Sequence, residues 1–214
     1  MGKSTALSVT DSAVLCLRIC DGTMIYRKSF FLILVILCFF LSACGVDISG
    51  RPPFEKLTFS HGATRITAED GRYWDVVFEY DRNTTFTGVV RHVSLWYDFA
   101  APFMSHDILI TTGDFSSRQH VAVTVMGHKF FYRSDIRSPR GSLNLLHVLP
   151  ASDEVFNELT KIGKWDEVRV VGREILRIDA YRPDGTFMGY MTDAGCNTIL
   201  VTSAHVQAVG TPIP

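Results

Sequence analysis

The sequence lacks the short motifs by which several large enzyme classes are recognised. It contains no GxxxxGK[ST] phosphate loop and no GxGxxG dinucleotide loop. The GxSxG pattern that places the nucleophile of many serine hydrolases is also absent. The sequence therefore gives no support to nucleotide-dependent chemistry or to a serine hydrolase of that kind.

The chain also lacks an excess of charge of either sign. It has 21 Lys and Arg against 22 Asp and Glu, and the part from residue 44 onward has 17 against 20. A nucleic-acid-binding domain normally carries a basic excess, and so does a domain held electrostatically on an acidic bilayer. We therefore expect no nucleic-acid partner.

No apolar run is long enough to cross a membrane as a helix. The longest covers residues 30–41 and has 12 residues, whereas a membrane-spanning helix needs about 20. It follows two cations, Arg27 and Lys28, as the apolar region of a cleaved export signal does. An uncleaved membrane helix is the alternative, and the length of the run argues against it.

The run ends in Leu41-Ser42-Ala43-Cys44, which resembles the lipobox of bacterial lipoproteins. The resemblance implies cleavage between Ala43 and Cys44, palmitate-type diacylation of the Cys44 thiol and acylation of the new amino group. Two or three acyl chains give stable anchoring, because each buried methylene contributes about 0.8 kcal/mol. We expect a lipoprotein of the cell envelope that is anchored in the membrane and faces the periplasm. Gly45 after the cysteine favours the outer membrane over the inner.

This interpretation divides the chain into five parts. Residues 24–43 are the signal peptide, and residues 1–23 are a mis-called start or a cytoplasmic extension. Residues 44–55 contain Gly, Ser and two prolines and form a tether. A globular domain follows at 56–208, and residues 209–214 are a tail.

Cysteine is scarce beyond the signal peptide. Of five cysteines only Cys44 and Cys196 remain after cleavage. If Cys44 is acylated, Cys196 has no partner in the chain. We therefore expect a fold held by packing rather than by disulfides, even in a compartment that permits them.

The pattern of the domain predicts an α+β, mainly-β fold. Short β-forming runs alternate with turn signals such as Glu69-Asp70-Gly71, residues 81–85, Gly127-His128 and Pro183-Asp184-Gly185. One helix is expected at about 152–162, with Ser152 as its N-cap. After it, residues 167–172 and residues 174–181 are predicted to form two separate strands. We predict a single domain with a curled antiparallel sheet or a small barrel.

Cys196 and His147 are the candidate catalytic pair. A thiol attacks as the thiolate, and a histidine can remove its proton when the two meet in space. An aspartate such as Asp107 or Asp193 would orient that histidine. The alternative is that Cys196 is a small packed side chain, and the residues around it match no thiol-protease signature. The sequence alone therefore commits to no catalytic residue.

Metal and cofactor sites are not expected. Zinc sites usually draw two ligands from one short segment, whereas the closest histidines in the sequence, His120 and His128, are eight residues apart. Aromatic residues on strands are expected in the core rather than in a ligand groove. A loop with three arginines is expected to be solvated: Arg133, Arg137 and Arg140.

Residues 96–206 resemble a family of uncharacterised bacterial proteins. The resemblance rests on a strand with Asp107, an aromatic strand at 130–132, the segment 145–151 around His147, residues 166–168 with Gly172, and the turn at 194–196 that ends in Cys196. It implies a single domain and pairs His147 with Cys196, and it implies no established activity.

Two functional hypotheses follow, from different classes. The leading one is a lipid-anchored, non-enzymatic binding or structural domain in the periplasm that takes an envelope protein or a small ligand. The competing one is a thiol-dependent hydrolase that uses Cys196 and His147. A third possibility is an assembly factor that acts through an exposed strand edge.

Overall fold

The computed structural model describes residues 51–95, 100–192 and 195–210. The predicted signal peptide, Cys44 and most of the tether lie outside these residues, as do Asp193 and the chain from residue 211. Within the described part, no helix combines the length and the apolar character that a membrane span requires.

The described chain is built mainly from strands. One α-helix, α1 (Asp153–Leu159), and two 3-10 helices (Phe54–Lys56 and Gly113–Ser116) accompany them. The strands are β1 (Leu57–Ser60), β2 (Arg65–Ala68), β3 (Tyr73–Phe78), β4 (Thr84–Leu95), β5 (His106–Thr111), β6 (Val121–Met126), β7 (Lys129–Ser134), β8 (Leu143–Pro150), β9 (Glu167–Tyr181), β10 (Phe187–Thr192) and β11 (Asn197–Ala208).

Five of these strands close into a ring. The hydrogen-bonded order is β4-β5-β8-β11-β9, and β9 pairs back with β4. Every pair is antiparallel except β8 with β11, which is parallel. Numbered within the ring in chain order, the strands run 1-2-3-5-4-1, with α1 between the third and the fourth. This is the connectivity of an OB-type Greek-key barrel.

The long strand β9 joins the ring to a second group of strands. Its first half pairs with β4 and β11, and its second half pairs with β3 and β10. Its pairing with β4 ends at Gly172, where a Cβ atom would lie 2.2 Å from the carbonyl oxygen of Leu200 on β11. Only glycine allows the two strands to approach this closely.

The ring has a separate apolar core on each side of its wall. Alternate residues of each strand face inward. The same inner core includes Leu159, the last residue of α1, and Ile162, which follows the helix. On the outside, Leu149 and Leu200 pack with apolar residues of β3 and β9 and with Phe103. Strands β5 and β8 are consequently covered on both faces, and all six residues of β5 are buried.

The predicted fold class is confirmed: the protein is α+β and mainly β, with one main helix and a curled sheet. The sheet is mixed rather than wholly antiparallel, because α1 carries the chain from the end of β8 back across the ring, and β11 then joins β8 in parallel. The predicted cap is present, since the Ser152 hydroxyl accepts a hydrogen bond from the Val155 amide. The helix ends at Leu159, three residues earlier than predicted.

Two local predictions were wrong. Residues 81–85 were expected to be a turn, but β4 already begins at Thr84 because Thr84 and Thr85 pair with Gly172 and Val171 of β9. Residues 167–172 and 174–181 were treated as two strands, whereas they form the single strand β9.

Candidate functional site

Three neighbouring strands of the ring place polar side chains in one row on the outer face. Asp107 on β5 pairs directly with His147 on β8, and His147 pairs with Thr198 on β11. Side chains at directly paired positions lie on the same face of a sheet. All three residues are buried, although they point away from the interior of the ring.

Asp107 is the centre of the site because its carboxylate contacts two imidazoles. One oxygen, Oδ1, lies 2.7 Å from Nδ1 of His147, and the other, Oδ2, lies 2.6 Å from Nδ1 of His128. Asp107 is only 4% exposed. Among the described residues its ion-pair partners are these two histidines, with no lysine or arginine in reach. A buried carboxylate needs such partners, because burial without them costs several kcal/mol.

His128 reaches Asp107 from the tip of the β6–β7 hairpin. Gly127 and His128 both have a φ of 58° and connect the paired residues Met126 and Lys129. A two-residue hairpin turn of this kind requires positive φ at both positions. The left-handed region is costly for most residues with a Cβ atom. His128 therefore has a strained backbone conformation at the tip of the hairpin. From this position its imidazole contacts the buried carboxylate of Asp107.

Cys196 lies at the edge of the same site. Its Sγ donates a hydrogen bond to the backbone oxygen of His128 at 3.3 Å, so the sulfur sits beside the hairpin turn that contacts Asp107. Cys196 also lies two residues before Thr198, the residue that pairs with His147. Its thiol is half-buried and is not part of a disulfide.

The structure therefore brings together residues that are far apart in sequence. Asp107, His147 and Cys196 were proposed from the sequence: Asp107 and His147 lie on the paired strands β5 and β8, and Cys196 directly precedes β11. His128 was not grouped with them, because only the folding of the hairpin over β5 brings it there. The signal that could have indicated it is the histidine after Gly127, at a turn position where asparagine and glycine are usual.

His106 is a buried histidine of a different kind, on the inner side of β5. Its Nδ1 lies 2.8 Å from the Ser105 hydroxyl, and its ring contacts Phe156 at a centroid distance of 5.4 Å. Burial lowers the pKa of His106 to about 4, although the charge of Asp107 acts in the opposite direction. This imidazole is neutral at physiological pH and serves packing.

The remaining sequence candidates are dispersed over the molecule. His120 lies at the base of the hairpin, 3.1 Å from Asp135. Of the aromatic residues, Trp74 is buried in the outer core. The guanidinium carbons of Arg91 and Arg118 lie 4.4 and 4.3 Å from the ring centroid of Trp165. Of the three arginines in the loop predicted to be solvated, one lines a cavity and another forms a hydrogen bond through its backbone. Arg133 lines a small polar cavity with Arg118, and the backbone amide of Arg140 donates to Asp114.

An apolar cavity of about 520 Å³ lies between β3, β9 and β10. Its lining includes Trp74, Phe103 and Ile178, which belong to the outer core together with Leu149 and Leu200. Leu149 and Leu200 are the next residues on the same face after His147 and Thr198, because side chains alternate along a strand. One outer face of the ring therefore carries both the polar row and the apolar wall that leads toward the cavity.

No family model and no curated protein matches the chain. The resemblance over residues 96–206 thus remains an interpretation of the sequence. The function has to be inferred from the site itself.

Proposed function

We propose that the protein is a lipid-anchored, thiol-dependent hydrolase of the bacterial cell envelope. In this proposal Cys196 is the nucleophile, His147 is its base and Asp107 orients the base. The observation that carries it is the 2.7 Å contact between Asp107 Oδ1 and His147 Nδ1. Cys196 directly precedes the adjacent strand β11, and its sulfur lies beside the backbone of His128. A nucleophile, a base and a group that orients the base are the components of nucleophilic catalysis.

The contact with Asp107 determines what His147 can do. When Nδ1–H donates to the carboxylate, the basic lone pair of the neutral ring is on Nε2. A ring held in this tautomer can accept the thiol proton, and the carboxylate stabilises the imidazolium that results. Asp107 is suited to this role because its carboxylate is buried, where water competes less for its hydrogen bonds.

The reaction proceeds by acyl transfer to sulfur. The thiol proton passes from Sγ to Nε2 of His147, and the thiolate attacks the carbonyl carbon of an ester, thioester or amide. Collapse of the tetrahedral adduct breaks the bond to the leaving group, which takes the proton from His147. Water then attacks the acyl-enzyme with His147 as base, which releases the acid and restores the thiol. Because Sγ donates to His128 O at rest, the S–H bond has to turn toward His147 before the first step.

The lipid anchor in the proposal is supported by the sequence of residues 27–45. The cations, the 12-residue apolar run and the cysteine after small residues are the features of a lipoprotein export signal. An enzyme held in this way acts on substrates within reach of the membrane surface, in the periplasm if cleavage and acylation take place as proposed.

A second candidate function is non-enzymatic binding of an apolar ligand, and the 520 Å³ cavity favours it. Pockets of this size lined by apolar and aromatic residues are typical of small-molecule sites. A position on the outer face of the ring supports both candidates, since OB-type barrels often bind ligands on their second and third strands.

Trapping of the acyl-enzyme tests the proposed hydrolase. Full-length protein in detergent is mixed with p-nitrophenyl esters of increasing acyl length, and the mass of the peptide with Cys196 is measured after rapid quenching. We expect an acyl adduct on Cys196 and a matching burst of p-nitrophenolate, both absent in Cys196→Ser. Equal hydrolysis by the wild type and Cys196→Ser, without an adduct, would contradict the hydrolase and favour the binding function.

A further inference from the structure

We propose that Asp107, His128 and His147 form a binding site for a divalent transition-metal ion of the zinc class. This inference rests on the geometry of the three side chains and does not depend on the hydrolase. It differs from the expectation drawn from histidine spacing, because the three residues come from three separate elements.

The three side chains converge as ligands do. Each offers one ligand atom, and the three atoms lie within 4.8 Å of one another. At bond lengths of about 2.1 Å, tetrahedral zinc ligands lie about 3.4 Å apart. The two Asp–His contacts, at 2.6 and 2.7 Å, are shorter because they are hydrogen bonds. Each has to widen by somewhat less than 1 Å to admit an ion.

The His128 side chain allows this widening. It is 47% exposed on a hairpin tip, whereas the side chains of Asp107 and His147 are 5% and 11% exposed. Two ligands are thus fixed in the wall of the ring, and the third can move. The exposed ligand also provides a route by which an ion enters from solvent.

The charge of the site favours a cation. The Asp107 carboxylate places one negative charge in the buried wall of the ring, and among the described residues no lysine or arginine forms an ion pair with it. A dication changes this charge to +1 and replaces the two hydrogen-bonding protons. The imidazoles then carry their protons on Nε2 and use Nδ1 as the ligand atom, so no net proton is released.

The donor set determines the class of ion. Imidazole nitrogen with carboxylate oxygen suits Zn²⁺, Co²⁺ and related ions. Mg²⁺ and Ca²⁺ prefer oxygen ligands and would find one carboxylate here. An ion at this site would occupy both Asp107 and His147, so metal binding and the proposed thiol reaction would exclude one another.

Titration with Co²⁺ and Zn²⁺ tests the site. The parent protein for the test is full-length Cys196→Ser in detergent, because it lacks the thiol at the site and makes the result independent of any hydrolase activity. We expect one Co²⁺ to bind through His128, with Zn²⁺ displacing it and Mg²⁺ not. Adding His128→Asn should weaken binding more than 100-fold, which exceeds the 10- to 100-fold effect of losing an outer-shell partner.

His120→Asn is the matched control. It removes a histidine that also contacts a carboxylate, Asp135 at 3.1 Å, on the same hairpin, and it should leave the affinity unchanged. His128→Asn keeps a residue that tolerates positive φ, so the hairpin should still fold. Perturbation of the His128 and His147 ring resonances by Zn²⁺ provides a second readout. Equal affinity in the parent and His128→Asn, or competition by Mg²⁺ at similar concentration, would overturn the inference.

Discussion

His106 and His147 are both buried histidines in the wall of the ring, yet they face opposite sides of it. His106 points inward, contacts a hydroxyl and an aromatic ring, and has its pKa lowered to about 4 by burial. His147 points outward and contacts the carboxylate of Asp107. Asp107 directly follows His106 on β5. Because consecutive side chains of a strand point to opposite faces, one residue faces the interior of the ring and the next faces its outside.

This comparison shows that burial by itself does not make a histidine a functional one. Inside the ring, an apolar environment favours the neutral form and leaves the imidazole as a packing group. On the outer face, the carboxylate of Asp107 accepts a hydrogen bond from His147. That contact determines which nitrogen of the imidazole carries the proton. Substitutions on the two faces of the ring wall should therefore have different consequences.

The largest effect is expected from Asp107→Asn on the outer face. An amide can still accept one hydrogen bond, but it cannot stabilise an imidazolium at His147. Hydrolysis of p-nitrophenyl esters should fall by about 10²- to 10⁴-fold, as in other sites where the orienting carboxylate becomes an amide. Steady-state release of p-nitrophenolate measures this. An unchanged rate in a folded variant would remove Asp107 from the mechanism.

On the inner face the expected effect is on stability rather than on chemistry. Ile108→Ala removes a fully buried side chain and should lower the free energy of unfolding by about 2–5 kcal/mol. The activity per folded molecule should not change. Urea denaturation measures the loss, and Leu176→Ala, at a site 51% exposed, is the control with an expected change below about 0.5 kcal/mol.

His106 should make stability depend on pH. Its pKa is about 4 in the folded protein and near 6.5 when unfolded, so the unfolded chain binds the proton more readily. The contribution of His106 to the free energy of unfolding is constant above about pH 6.5. The free energy of unfolding should fall as the pH drops from about 6.5 to about 4, by about 3 kcal/mol.

The measurement for this third prediction is urea denaturation across that pH range. His106→Leu should remove the dependence due to this residue, while carboxylate titrations common to both proteins cancel in the difference. Parallel curves for the wild type and His106→Leu would contradict the assignment of His106 as a neutral packing group.

The smallest effect on folding is expected at His128. His128→Asn should change the free energy of unfolding by less than about 0.5 kcal/mol, since the side chain is half-exposed and asparagine tolerates a φ of 58°. His128→Val should cost about 1–2 kcal/mol, because a β-branched residue is strained there. Thermal unfolding compares the two. Equal stability would mean that the turn does not impose the left-handed conformation.

Local features of the fold could be predicted from the sequence. The Ser152 cap depends on neighbouring residues only, as do the turns at Gly71 and Gly185, which have φ values of 82° and 83°. The buried strand β5 was recognisable from its apolar composition. These features are determined by interactions within a few residues.

The closure of the ring and most of the site could not be predicted in this way. The pairing of β4 with β9 joins Thr84 to Gly172, and no local pattern specifies which distant strand is the partner. His128 joins Asp107 only after the hairpin has folded over β5. The pair of His147 and Cys196 could be named from residue chemistry, but the alignment of Asp107 with His147 depends on strand register.

Whether His147 activates Cys196 is best measured by the rate at which iodoacetamide alkylates the thiol at neutral pH. Mass spectrometry of tryptic peptide 178–214 separates Cys196 from the other cysteines, and the wild type is compared with His147→Asn. A thiolate generated by His147 predicts alkylation at least about ten times faster in the wild type. Equal rates would show that His147 does not activate Cys196 and would contradict the account.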